Sequence, residues 1–185
     1  MVSQSLILYL LIVGCEVAFW LVLCLSLIAR YQLHREVLSQ WLLRSLLCVD
    51  ALLLGFTALD LSSGTMATRA HGLAAIYVGF TITFGSVAIR WADAHFAYRF
   101  ASGPAPSKVP ATRWRSVRHE FGLWLRCIAA WIIALALLEA LIAYVGNDAI
   151  TNPLRVWYRF GFGCVFFWFV FGPAWSLVFF RRGVP

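Results

Sequence analysis

Five apolar runs, each near the length that carries a helix across a bilayer, limit what this chain can fold into. They cover about 6–29, 41–61, 70–95, 121–145 and 156–180. Hydrocarbon offers no water to backbone N–H and C=O groups, so each run must satisfy them internally, as a helix. Only 12% of the residues are charged and 62% are hydrophobic, where soluble domains carry about 25% charge. The expected fold is all-α: a polytopic membrane bundle of five transmembrane helices forming one domain over 1–185, without a soluble catalytic domain. The second run is the least regular, because Arg44, Asp50 and Asp60 interrupt it. The first has no Lys or Arg in Met1–Ser5 and exceeds the usual apolar core of a cleaved leader, so it reads as a retained helix.

Basic residues predict the orientation. Eleven fall on one side: Arg30, Arg35 and Arg44 between runs one and two; Arg99, Lys108, Arg113, Arg115, Arg118 and Arg126 around the third connection; Arg181 and Arg182 at the end. Three, Arg69, Arg155 and Arg159, fall on the other, and Arg90 lies inside a run. The positive-inside rule then puts the N-terminus outside and the C-terminus in the cytoplasm, as an odd number of spans requires. The net charge of +7 reflects this bias and implies anionic lipid headgroups as a partner, with no nucleic acid. The one substantial loop, about 100–118, is basic, Pro-rich and predicted to be cytoplasmic. In it Arg113, Trp114, Arg115 and Arg118 form an expected lipid-surface anchor, an amphipathic ring among cations. Docking of a soluble partner is the alternative use.

The third run hides a polar stripe. At 100° per residue, His71, Ala75, Gly79, Thr83, Ser86, Arg90 and Asp93 share a sector of about 120°. Leu73, Ile76, Phe80, Phe84, Val87 and Trp91 cover much of the rest. The stripe is expected to face inward. Ala75, Gly79 and Thr83 would let a neighbouring helix approach closely.

Charge inside a membrane costs on the order of 2.5–3.5 kcal/mol on insertion scales, so each buried ionisable group needs a reason. Given the orientation above, an outer layer would hold Glu16, Asp60, His71 and Glu139, the candidates for an ion or proton pathway. An inner network would hold Asp50, Arg90 and Asp93, with Arg90 reaching both carboxylates; this set also reads as a structural salt-bridge cluster. Asp60 and His71 also read as ordinary interfacial helix ends. Asp50 and Thr57 share a face of run two.

Cofactor chemistry finds no support. His71 has no histidine at its level to complete a haem ligation, and His34, His95 and His119 lack metal-site spacing, so neither cofactor nor metal is expected. No H-E-x-x-H, G-x-S-x-G, phosphate-loop or dinucleotide motif occurs. Cys15, Cys24, Cys48, Cys127 and Cys164 all fall in the runs, odd in number and without C-x-x-C, and read as small packing residues.

Ala70-His71-Gly72, Tyr77-Val78-Gly79 and Arg90-Trp91-Ala92-Asp93 resemble a family of small bacterial integral membrane proteins without assigned function. The resemblance covers mostly 41–145. It implies a bacterial inner membrane and no particular activity.

Three functions fit these residues. The first is a small transporter or channel-like protein with a proton- or cation-coupled path along helix three, working as a homo-oligomer. The second is a non-catalytic accessory subunit or assembly factor of a larger membrane complex. The third is an enzyme acting on lipid headgroups through Arg90 and the inner carboxylates.

Overall fold

A computed structural model describes residues 2–33, 35–100, 104–105 and 113–178. The elements are α1 (Val2–Tyr31), α2 (Glu36–Ser62), α3 (Arg69–Phe100), α4 (Arg113–Val145), a short α5 (Asp148–Thr151), a 3-10 turn (Asn152–Arg155), α6 (Val156–Phe169), a π-helical turn (Val170–Ala174) and α7 (Trp175–Val178). Five stretches are long and apolar enough to cross a membrane, the last running from α5 through α7. The interruptions in the second run do not break it: α2 is continuous through Arg44, Asp50 and Asp60.

The expected loop at 100–118 is shorter than its sequence suggests. Phe100 ends α3, and Arg113–Arg118 form the first turns of α4. Pro104 and Ala105 are non-helical; 101–103 and 106–112 lie outside the described residues. Trp114 is exposed, as is Arg118, while the side chains of Arg113 and Arg115 lie outside the described set.

The α1–α2 and α3–α4 connections lie at one end of the bundle, called the basic end below. The opposite end is the more tightly packed. Leu61, Ala67, Ala75, Leu138, Leu141, Ile142 and Leu154 form a buried cluster there. Ala67 N–H donates to Ile150 O at 3.1 Å and so joins the two connections of that end. Gly64 (φ 93°) and Gly146 (φ 63°) turn the chain out of α2 and α4 in the left-handed region that glycine adopts without strain.

Small residues set the helix spacing. A Cβ on Gly79 would lie 2.5 Å from Ala130 O and 3.0 Å from Ala134 N, so α3 and α4 touch backbone to backbone. A Cβ on Gly161 would lie 2.7 Å from the Trp131 ring, and one on Gly72 would meet the Trp157 indole. Toward the basic end, α3 separates from α1 and α2 around a groove of about 390 Å³, lined by apolar residues such as Leu23, Leu27, Leu43, Phe84 and Ala88.

This geometry corrects the expected stripe on helix three. Ala75 and Gly79 are buried against α4 as expected, but Ser86 and Arg90 are exposed. In the second half of the helix, Thr81, Gly85, Ala88 and Ala92 look toward α1 and α2. The helix changes partners along its length, and its inward face rotates with the change.

Candidate functional site

Among the described residues, most of the buried polar groups of this bundle lie along one edge of α2, a seam broken by Leu46 and Leu53. The buried residues of α2 are Ser39, Leu46, Asp50, Leu53, Thr57, Asp60 and Leu61. From Leu46 to Asp60 they follow alternating steps of four and three, the spacing that keeps one edge of a helix against its neighbours. Ser39, Asp50, Thr57 and Asp60 are each no more than 4% exposed, so four of the seam positions carry polar groups shielded from solvent.

At the basic end, the Ser26 and Ser39 hydroxyls lie 3.1 Å apart and Ser26 also donates to Ser39 O at 3.3 Å, fastening α1 to α2. Near the midpoint of α2, Thr81 donates to Asp50 Oδ2 at 2.5 Å. Asp50 borders a cavity of about 110 Å³ whose other walls include Cys15, Phe19, Trp20 and Tyr77. Among the described residues no basic side chain forms an ion pair with Asp50. Two turns further on, the buried Thr57 hydroxyl has no hydrogen-bond partner among the described residues.

At the far end, His71 and Asp60 are brought together as expected. Asp60 Oδ2 lies 3.0 Å from His71 Nε2, and Thr65 donates to Asp60 Oδ1 at 3.1 Å. The Thr68 amide N–H donates to His71 Nδ1 at 3.0 Å, and the Thr68 hydroxyl lies 2.9 Å from the same nitrogen. An Nδ1 that accepts an amide N–H leaves the ring proton on Nε2, which then donates to Asp60. Thr68 precedes the first residue of α3 and His71 is its third, so the imidazole takes the place of Glu or Gln in a capping box. One ring therefore caps α3 and holds the end of α2.

The expected inner network is replaced. Asp93 pairs with Arg30 of α1 at 2.8 Å, not with Arg90. Tyr31 donates to Asp93 Oδ1 at 3.0 Å and to Asp93 O at 2.8 Å. Arg90 is exposed, and no ion pair joins it to Asp50 or Asp93 among the described residues. Position 90 lies about half a turn from the Ala88–Ala92 edge that faces α1 and α2, so its guanidinium cannot reach Asp50.

The outer layer also divides. Glu139 is exposed at the edge of α4 and accepts a hydrogen bond from Tyr158 of α6. No described hydrogen bond or ion pair links it to Asp60 or His71. Glu16 lies in α1, and its side chain is outside the described residues. The polar partners that sequence reasoning missed are mostly hydroxyls: Ser26, Ser39, Thr65, Thr68, Thr81 and Tyr158. Ser26, Thr81 and Tyr158 lie in apolar runs and Ser39, Thr65 and Thr68 between them, and none carries a charge that would mark it as a partner. Arg30, at the end of α1, bears on topology in the sequence and gains its ion-pair role only from the packing of α1 on α3.

No protein-family model matches the chain, and no solved structure matches it. The chain is 34% identical over 151 residues to "Uncharacterized membrane protein YmcC" of Bacillus subtilis (strain 168), covering 80% of this chain and 81% of that protein. The chain is therefore an integral membrane protein that belongs to the family of YmcC.

Proposed function

We propose that this protein is a small membrane transporter or channel-like protein whose α2 seam carries protons or a small cation, with Asp50 as the central exchange group. The observation behind this reading is a buried carboxyl, midway along a membrane helix, whose partner is the Thr81 hydroxyl and which borders a cavity. A carboxyl at that depth without a basic neighbour needs a proton or cation from outside the protein to neutralise it. Thr57 offers a buried hydroxyl on the same edge, and Asp60 with His71 forms the mouth. Leu46 and Leu53 separate the polar levels, so the described arrangement is a closed one.

The remaining expectations follow as part of the proposal. The protein sits in the cytoplasmic membrane with its N-terminus outside, among anionic headgroups, and works as a homo-oligomer or beside a membrane partner. The first and last spans are only 12% and 11% buried, which leaves wide apolar faces. Those faces equally favour a second reading, a non-catalytic accessory subunit; recovery of one stoichiometric partner in mild detergent supports that reading.

The test is flux. Purified protein in liposomes holding a pH-sensitive dye is driven by a potassium diffusion potential. Wild type acidifies the lumen faster than protein-free liposomes, Asp50→Asn loses most of that rate, and Arg90→Gln retains it. Wild-type flux no greater than that of empty liposomes, with protons and with small monovalent cations, rejects the reading. So does full flux in Asp50→Asn.

A further inference from the structure

The cavity of about 110 Å³ beside Asp50 is built by three helices. Cys15 and Phe19 come from α1, Asp50 and Leu53 from α2, and Tyr77 and Thr81 from α3. Each pair stands three or four residues apart, so each helix turns one edge to the same space. Trp20 joins Phe19 on the α1 side, which brings three aromatic side chains around the cavity. Asp50 is the charged group in its lining. Trp20 and Tyr77 are 66% and 41% exposed, whereas Asp50 is 2% exposed. The rings therefore form a rim between α1 and α3, and the carboxylate lies at the floor. Thr81 fixes that carboxylate through Oδ2, and Oδ1 takes no hydrogen bond among the described residues.

We propose that this cavity binds a small organic ammonium ion, with Asp50 as its counter-charge and Phe19, Trp20 and Tyr77 as an aromatic cage. The inference rests on the reading of Asp50 as the exchange group and names the class of cation it takes. Size sets one limit. A cavity of about 150 Å³ accommodates benzene, so the roughly 110 Å³ here suits a compact ion of about four or five heavy atoms, such as tri- or tetramethylammonium. Chemistry sets the other. An inorganic cation needs a set of oxygens in place of its water shell. The side chains around this space offer the oxygens of Asp50, Thr81 and Tyr77, and the remainder is carbon and one thiol. An alkylammonium ion spreads its charge over methyl groups, which ring quadrupoles attract and which ask for no oxygen ligands. A neutral guest of the same shape would fill the space and leave the buried carboxylate unmatched.

Equilibrium dialysis of the purified full chain in an uncharged detergent, against radiolabelled tetramethylammonium, tests the site without any gradient. Wild type binds one ion per chain, saturably, with a Kd of about 1 mM or tighter. Asp50→Asn weakens binding by about thirtyfold or more, the effect of removing one partner of a buried charge pair. Trp20→Leu and Tyr77→Leu each weaken it about tenfold, and Trp20→Phe keeps most of the affinity. Neither tert-butanol, a neutral molecule of similar shape, nor potassium at the same concentration displaces the label. Absence of saturable binding in wild type overturns the proposal, as does full affinity in Asp50→Asn. So does displacement by tert-butanol or potassium as effective as that by unlabelled tetramethylammonium. The wild-type competition decides even if a variant does not fold. Proton flux in liposomes by a protein that binds no tetramethylammonium sinks this inference and leaves the transport reading standing. Binding without flux supports the site and rejects transport.

Discussion

Gly79→Ala is the sharpest test of how this bundle is held together. The added methyl would sit 2.5 Å from Ala130 O, 3.0 Å from Ala134 N and 3.1 Å from Ala134 Cβ. Two of these are backbone atoms of α4 and cannot swing aside, so the helices must part. Overpacking costs typically about 1–3 kcal/mol, and a backbone obstacle belongs at the upper end. Alanine returns about 1 kcal/mol of helix propensity. The expected net loss is about 2 kcal/mol. Gly85, on the same helix, is the control: its methyl would meet nothing nearer than Thr81 Cγ2 at 4.0 Å. There the propensity gain stands nearly alone, so Gly85→Ala should stabilise by up to about 1 kcal/mol. The two variants change composition identically but should differ by about 3 kcal/mol, roughly a hundredfold in the folding equilibrium. Unfolding by SDS in mixed micelles, followed by far-ultraviolet circular dichroism, measures both. A Gly79→Ala protein as stable as wild type, or equal losses at the two positions, would refute the close α3–α4 contact.

Two further perturbations probe the ends of the bundle. His71→Ala removes the cap of α3 and leaves Asp60 without its main partner, for an expected loss of about 2–3 kcal/mol in the same assay, whereas His71→Gln, able to accept from Thr68, recovers much of it; equal losses in the two variants would discount the cap. Asp93→Ala frees Arg30 and Tyr31, and because this pair is partly exposed the expected cost is only about 1 kcal/mol, while Arg90→Ala should leave stability unchanged, which separates the observed partner from the expected one.

The number and type of the helices were legible because hydrocarbon leaves a backbone one economical solution. The inward faces were harder to read. A helical wheel assumes one partner along a whole helix, and α3 breaks that assumption: Ala75 and Gly79 meet α4, while Gly85 and Ala88 face α1 and α2. Ser86 and Arg90 therefore turn outward even though they share a sector with Gly79. The second run reads as the least regular because of Arg44, Asp50 and Asp60, yet the two carboxylates are buried on its inward edge, so these interruptions mark a polar seam rather than a poor helix. Asp60 with His71 could be found because both sit beside one short connection. Arg30 and Asp93 join helices distant in sequence, and only the packing of those helices puts them at the same level.

The π-helical turn at Val170–Ala174 holds Pro173, whose missing N–H suits a break in regular winding. Such a turn accommodates one surplus residue, which advances everything after it by about 100° about the axis. Trp175 and Leu177 are thus aimed by a counting offset and not by the rhythm of the preceding aromatics. Removing a single residue between 170 and 174 would reset that offset, swinging the tail of the span onto a new bearing while every side chain before it kept its own.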